Sequence, residues 1–398
     1  MSATRKHSIE KSSAPLYLAF ELGLNEWKLG FNISMGTPPR LRTIAGGDLD
    51  RLMTEIAQAK KKFGLPADAP VRSCYEAGRD GFWLHRWLGE HGVENVIVDS
   101  ASIEVNRRSR RRKTDRLDAG KLVTMLLRHH AGEKLWSVVR LPSPADEDRR
   151  HLHRDLEEMK AERTQHINRI KGLLHAVGVR LTEINGKFRQ RLAELRTPHG
   201  DAIPSGLRQR LLREFERMQY VQQQIEALER QREQIARDGD GQPHVEKTRK
   251  LMQLRGIGLH SAWVCVAELF GWRQIRNRRE LASLVGLTPT PYNTGESERE
   301  QGISKAGNRR LRVLLVQLGW GWLHYQEQSA LSQWYRRRFG SGSARQKKIG
   351  IVALARKLLV ALWKYVEHDE VPEGAMLVDW EGKLTGRRTA PEMETMPL

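Results

Sequence analysis

Between residues 16 and 98 the hydrophobic period changes repeatedly, and that succession constrains the fold more than any other feature of the chain. LYLAFELGLNEWKLGFNIS, residues 16–34, sets the turn former Asn25 between two apolar, partly alternating runs, which is a hairpin signal. A third short strand is expected at Leu41 to Ile44, after which Leu49, Leu52, Met53, Ile56 and Phe63 keep helical spacing. PVRSCYEAG reads as a strand ending at Gly78, FWLHRWLGEHG as a helix stopped by glycine, and ENVIVDS as a strand of the buried type. The predicted order is three antiparallel strands, helix, strand, helix, strand, helix, which makes a three-layer α/β domain.

That is the ribonuclease-H-like order, so residues 15–144 are expected to form a ribonuclease-H-like domain. Beyond it the strand pattern stops. Residues 145–177 and 207–237 are long, highly charged helical stretches, and Leu211, Phe215, Met218, Ile225 and Leu228 step like a coiled-coil seam. Residues 145–240 are therefore expected to be a coiled-coil linker or oligomerisation region, paired antiparallel or with another copy. GDGQPH marks the next boundary, and residues 245–370 read as a helical domain, which makes the fold class α/β plus all-α. Residues 371–398, like the first dozen, are expected to be flexible.

Lys and Arg total 68 against 48 Asp and Glu, a formal net charge of +20, so a polyanion is the first partner to expect. Cys74 and Cys265 are too few and too far apart for a disulfide framework or a zinc module. The N-terminus has no apolar signal core and no run is long enough to span a bilayer, so the expectation is a cytoplasmic protein without a membrane partner.

Four carboxylates suit one metal site. Glu21 falls on the first strand, Glu76 ends the fourth, and Asp115 and Asp118 open a helix three positions apart, on one face. Taken singly, each is an ordinary helix-start or sheet-surface acid. Together, with the first and fourth strands adjacent, they match the oxygen-donor set that holds Mg²⁺, two ions at about 3.5–4 Å serving phosphoryl transfer, with Mn²⁺ as a substitute. Just before the two aspartates runs a basic octet with the cations Arg107, Arg108, Arg110, Arg111, Arg112 and Lys113, read as a nucleic-acid contact in preference to a solvated loop.

In the last domain, LRGIGLHSAW places Gly256 and Gly258 before a helix, a helix-hairpin-helix-like segment whose exposed amides suit phosphate, although Gly-x-Gly also makes ordinary turns. Thr294, in PYNTGES, is expected in a polar loop. Arg299, Lys305, Asn308, Arg309, Arg310 and Arg312 follow as a dense phosphate-binding surface. Trp320, Trp322, Trp334 and Trp363 read mainly as core, with base stacking an alternative for Trp334. His129, His130, His151 and His153 lack a ligand pattern and are expected at the surface.

The stretch 286–315, GLTPTPYNTGESEREQGISKAGNRRLRVLL, together with SCYEAGRDGFWL and RRKTDRLDAGKL, resembles the DEDD-type transposases of bacterial insertion sequences, the bridge-RNA-guided recombinases. The similarity runs from Leu16 to about Tyr365. It implies a RuvC-like catalytic domain, a coiled-coil connection and a C-terminal transposase domain carrying a hydroxyl nucleophile, in a bacterial cytoplasm. By position, Glu21, Glu76, Asp115 and Asp118 match the four acids, Glu21 standing where the family usually has Asp. Thr294-Gly295 stands where the family has Ser-Gly, so Thr294 matches the nucleophile and Ser297 is the nearest substitute. The partners implied are donor and target DNA, a noncoding bridge RNA and further copies of the chain, a dimer or a tetramer in synapsis. A water-using junction nuclease and a noncatalytic nucleic-acid-binding scaffold are the rival readings.

Overall fold

The computed structural model describes residues 14–78, 81–99, 102–103, 119–294 and 297–384, with the side chains of 291–294, 297–301 and Lys383 left undescribed. The chain divides into two compact units, Met1–Leu141 and Pro142–Leu398.

The first unit is built on a five-stranded mixed sheet. Strands β1 (Leu16–Leu22), β2 (Glu26–Asn32) and β3 (Arg40–Ala45) form an antiparallel meander. Helix α1 (Leu49–Lys62) then crosses to β4 (Val71–Glu76), and α2 (Trp83–Glu90) crosses to β5 (Val93–Val98). Both β4 and β5 run parallel to β1, giving the order β3-β2-β1-β4-β5. Period-two alternation sorts the side chains between the two faces. Leu16, Leu18, Phe20, Leu29 and Tyr75 pack with Leu52, Ile56, Leu84 and Leu88 of α1 and α2. Tyr17, Ala19, Cys74 and Val98 pack on the other face with Leu122, Val123 and Leu126 of α3 (Ala119–His130). Helices thus cover both sides of the sheet. On β3, Arg40 and Arg42 surround the buried carboxylate of Glu55 together with Arg51, which supplies the charge partners a buried acid requires.

In the second unit, α4 (Pro144–His175) starts at a capping box in which Ser143 and Asp146 satisfy each other's backbone amides. It runs antiparallel to α6 (Ser205–Asp238) within the same chain: Lys160 meets Glu229, Arg163 meets Gln222 and His166 meets Glu214. Leu156, Ile170 and Leu174 meet Leu211, Phe215, Val221 and Ile225 along the seam, beside the short helix α5 (Phe188–Glu194). Helices α7 (Pro243–Gln253) and α8 (Leu259–Cys265) follow, and α8 widens into a π-helical turn, Val266–Phe270. Next come α9 (Arg278–Leu284), a hairpin of β6 (Pro289–Thr294) and β7 (Ser297–Ile303), then α10 (Arg309–Tyr325), α11 (Ala330–Phe339), α12 (Ala344–His368) and α13 (Glu381–Leu384).

These elements correct several expectations. The last domain is not purely helical, because β6 and β7 pair inside it. Residues 371–384 are held in place: Leu254 bridges Leu377, Val378 N–H donates to the Gln253 carbonyl at 2.7 Å, and Arg249 lies 4.7 Å from the Trp380 ring centroid. Residues 385–398 and the first thirteen lie outside the described residues. His153 is fully buried rather than at the surface, and Trp320 is exposed whereas Trp322 is core. No helix among the described residues is long and apolar enough to cross a membrane, and both cysteines are free and buried.

Candidate active site and nucleic-acid interface

Glu21 and Glu76 stand on neighbouring strands. β1 and β4 pair in parallel up to Phe20↔Tyr75, so the next residue on each strand is a carboxylate. By alternation both continue the face of Ala19 and Cys74, the face α3 covers. Glu21 is partly exposed and Glu76 exposed. Lys28, the register partner of Glu21 on β2, brings its Nζ to 3.5 Å from Glu21 Oε2, a charge neighbour that sequence reasoning missed. Helix α3 enters over the same face. The carbonyl oxygen of its first residue, Ala119, stands 2.4 Å from the position a Cβ would take on Gly30, and Gly30 pairs with Ala19, two positions before Glu21. Only a glycine allows that approach.

Asp115, Asp118 and the cations Arg107, Arg108, Arg110, Arg111, Arg112 and Lys113 lie outside the described residues. Among the described residues no group of three His, Cys, Asp or Glu is placed to hold a metal ion. Glu21 and Glu76 themselves are two hard oxygen donors on one face, open to solvent on at least one side, which fits a divalent cation as far as two ligands can.

Thr294 is the last residue of β6 rather than part of a polar loop, and its register partner is Ser297, the first residue of β7. The two candidate hydroxyl residues therefore flank one two-residue connection, 295–296. The base of the hairpin is clamped to the end of α9: Ser304 N–H donates to the Thr288 carbonyl at 2.9 Å, Lys305 N–H to Gly286 at 3.2 Å, and Asn308 N–H to Leu284 at 2.9 Å.

The remaining phosphate-binding candidates divide by what they already touch. Arg299 lies on β7 opposite Tyr292. Lys305, in a left-handed backbone conformation (φ 57°), and Arg309, in the first turn of α10, are exposed. Arg310 Nε donates to Glu157 at 2.6 Å, and Arg312 donates to the Val285 carbonyl at 3.0 Å. Gly258 is the N-cap of α8. Gly256 adopts φ +91° beside the Tyr325 ring, in the turn between α7 and α8. His260 in the first turn of α8 has its pKa pushed down to about 4, first by burial and then by the Arg232 charge, so a positive imidazole does not contribute there at neutral pH.

Residues 248–335 match the model of the Transposase IS116/IS110/IS902 family. A Sinorhizobium fredii protein named as transposase y4rJ is 39% identical over 375 residues, covering 91% of this chain and 94% of the relative. The chain belongs to the IS116/IS110/IS902 transposase family. The transposase for insertion sequence element IS1328 of Yersinia enterocolitica is 27% identical over 214 residues, 53% of this chain and 60% of the relative. That for IS1111A of Coxiella burnetii is 23% identical over 246 residues, 60% and 62% of the two chains.

Besides Glu55 and Glu214, this transposase buries a third carboxylate, inside the matched region, that sequence reasoning missed. Glu268 sits in the π-helical turn at 3% exposure. His153 Nε2 lies 2.9 Å from its Oε1, Arg154 donates to both oxygens at 2.9 and 3.1 Å, and Asn308 Nδ2 donates to Oε2 at 2.9 Å. Burial would raise its pKa, but the hydrogen bonds from His153 and Arg154 and the Arg154 charge outweigh that and hold the carboxyl at about 2. Glu268 thereby joins the residue that follows the hairpin to the long helix α4. The one sequence signal was a lone acid in the otherwise apolar run AWVCVAELFGW.

Proposed function

We propose that this IS110-family transposase cleaves and exchanges DNA strands in a Mg²⁺-dependent reaction with a protein hydroxyl as nucleophile, guided by a noncoding bridge RNA. The observation that carries the reading is the placement of Glu21 and Glu76 at matching positions on adjacent parallel strands, each one residue past the last register pair Phe20↔Tyr75, on the face where α3 begins directly after Asp118 in sequence. The strand order β3-β2-β1-β4-β5 with helices on both faces supports a ribonuclease-H-like (RuvC-like) first unit with a DEDD acid set.

Glu21, Glu76, Asp115 and Asp118 would hold the cations, which supply charge neutralisation at the scissile phosphate. The Thr294 hydroxyl attacks phosphorus. A bond forms between its Oγ1 and phosphorus, the bond from phosphorus to the 3′ oxygen breaks, and the proton lost by the threonine is matched by one gained on the released 3′-hydroxyl. That hydroxyl, attacking a second protein-linked phosphate, rejoins the strand to a different duplex and frees the threonine. Exposed Lys305 and Arg309 beside the hairpin suit phosphate contact, while Arg310 and Arg312 serve mainly internal bonds. The active species is a dimer or a tetramer on donor and target DNA.

Incubating the protein with donor and target duplexes, flanking-element RNA and Mg²⁺ tests this reading on a denaturing gel. DNA covalently joined to protein, present with Thr294 and absent in Thr294→Ala, is the expected result; cutting that persists in Thr294→Ala without adducts establishes the water-using nuclease instead. Retention by Thr294→Ala with loss in Ser297→Ala moves the nucleophile across the hairpin. One contact favours the noncatalytic scaffold: Lys28 lies 3.5 Å from Glu21 and competes for its carboxylate. Unchanged mobilisation of a donor by the Asp115→Ala, Asp118→Ala double variant would establish that scaffold.

A further inference from the structure

Alongside the hairpin, the second unit holds a cleft of about 1140 Å³ for which the strand-exchange chemistry has no use. Its long wall is one stripe of α12. Arg345, Lys348, Val352, Arg356, Val360 and Lys364 all line the cleft at steps of three or four residues, with Ile349, Ala353, Lys357 and Ala361 beside them. Nineteen residue steps at about 1.5 Å make a wall roughly 28 Å long. The opposite stripe of the same helix, Leu354, Leu358, Leu359 and Leu362, is buried in the core. The cleft-facing stripe of α12 thus mixes cations with apolar residues that are only partly covered: Val352 and Val360 are partly buried at the edge of the core, and Ile349 remains 53% exposed. The other walls come from the start of α9, the hairpin base at Pro289 and Ile303, and Trp334 and Phe339 of α11.

Eight of the twenty lining residues are Lys or Arg and none is Asp or Glu. Among the described residues only Lys364 of these eight pairs with a carboxylate, Glu370. Lys357 rests over the Trp334 ring at 4.7 Å and Arg338 over the Phe339 ring at 5.9 Å, and all eight line the same cleft. Like charges so placed repel one another unless an anion sits between them. A small anion would satisfy a few cations and leave the apolar floor wet.

We propose that this cleft binds a single-stranded segment of nucleic acid, its phosphates on the cationic rim and its unstacked bases against the floor of Ile349, Val352, Ala353 and Trp334. A duplex hides its base faces and shows phosphates and polar groove edges, whereas unpaired bases present flat apolar surfaces to aromatic and aliphatic side chains. The inference rests on the transposase reading and adds residues which that reading does not use. RNA and DNA single strands share this chemistry.

Anisotropy with labelled twelve-nucleotide single-stranded DNA, single-stranded RNA and a duplex of equal length tests it on the full chain across salt concentrations. The triple variant Lys348→Gln, Arg356→Gln, Lys357→Gln is expected to bind single strands at least tenfold more weakly, with a log–log salt slope smaller by about 2, since each single-strand phosphate left without its cation takes away roughly 0.7. Tighter binding of RNA or of DNA then identifies the source of the strand. Photocrosslinking of 4-thiouracil or 4-thiothymine oligonucleotides to the unmodified protein, independent of any variant's folding, should label peptides from 331–361. Crosslinks confined elsewhere, a folded triple variant with unchanged affinity and slope, or a duplex that displaces the single strand from the cleft would each overturn the inference. A folded triple variant that still exchanges strands and binds normally removes the cleft alone, whereas a wild-type protein that binds no nucleic acid removes the proposed strand-exchange function with it.

Discussion

Asn308 bonds in two directions at once: its Oδ1 accepts the Leu311 amide at 3.2 Å to cap α10, and its Nδ2 donates to Glu268 at 2.9 Å. A single amide thus couples the start of a helix to a buried carboxylate that α4 also grips. Asn308→Ala removes the cap and one of the donors to Glu268. Loss of about 1–3 kcal/mol is expected, read as a lowered denaturation midpoint for the second unit, and Asn308→Asp should cost more because a second carboxylate then faces Glu268.

Glu268 predicts the direction of acid sensitivity. Its folded pKa of about 2 lies below the ordinary value of 4.5, so its stabilisation is complete above roughly pH 4.5 and disappears as the pH falls through 2. The shift corresponds to on the order of 3 kcal/mol. Denaturant titrations from pH 6 down to pH 2 should show a steeper loss for wild type than for Glu268→Gln, which starts less stable. Parallel curves would remove Glu268 as the source.

Gly30→Ala should dislodge the start of α3. The added Cβ meets the Ala119 carbonyl at 2.4 Å, and neither backbone is free to move without breaking β1–β2 pairing or α3 packing. A loss of about 1–3 kcal/mol is expected, as for overpacking elsewhere. Hydrogen exchange should localise it to α3 and β2, and activity should fall with it. Gly36→Ala makes a control, since nothing lies near that position although its φ of +83° adds local strain.

Under the proposed Mg²⁺ chemistry, Lys28→Gln should lower the Mg²⁺ concentration needed for half-maximal strand cleavage, because the lysine at 3.5 Å competes for the Glu21 carboxylate. Lys28 is 57% exposed and the pair is solvent-screened, so a two- to fivefold shift is expected, from under about 1 kcal/mol of coupling. A higher Mg²⁺ requirement would mean that Lys28 orients Glu21 and does not compete with the ion.

The first unit was legible because β strands with one face on each helical layer leave a strong signature: LYLAFEL and VENVIV alternate or run apolar between turn residues. Register between distant strands is what joined Glu21 to Glu76, and it follows from strand order. Lys28 was less visible, since its meaning depends on which residue lies across the ladder. The β6–β7 hairpin was hidden because Pro289 and Pro291 depress strand propensity and the residues between them and Ile303 are largely polar. His153 was misread because DRRHLHRDLEE looks like a solvated helix face, and its acid partner lies 115 residues away. The cleft went unseen for a related reason: an apolar stripe on α12 does not announce whether core or ligand will cover it.

The strap formed by residues 376–378 has a consequence for how this protein is made. Met376 and Val378 pair with Arg255, Gln253 and Gln326, residues synthesised long before them. The helical unit therefore cannot close its backbone pairing until translation has passed this point, and an interrupted product is left with open edges rather than with a smaller finished domain. A chain that stops before residue 376 would leave the Gln253 carbonyl without its donor and the buried Gln326 amide without two of its partners, so truncation there destabilises the second unit and does not merely trim a tail.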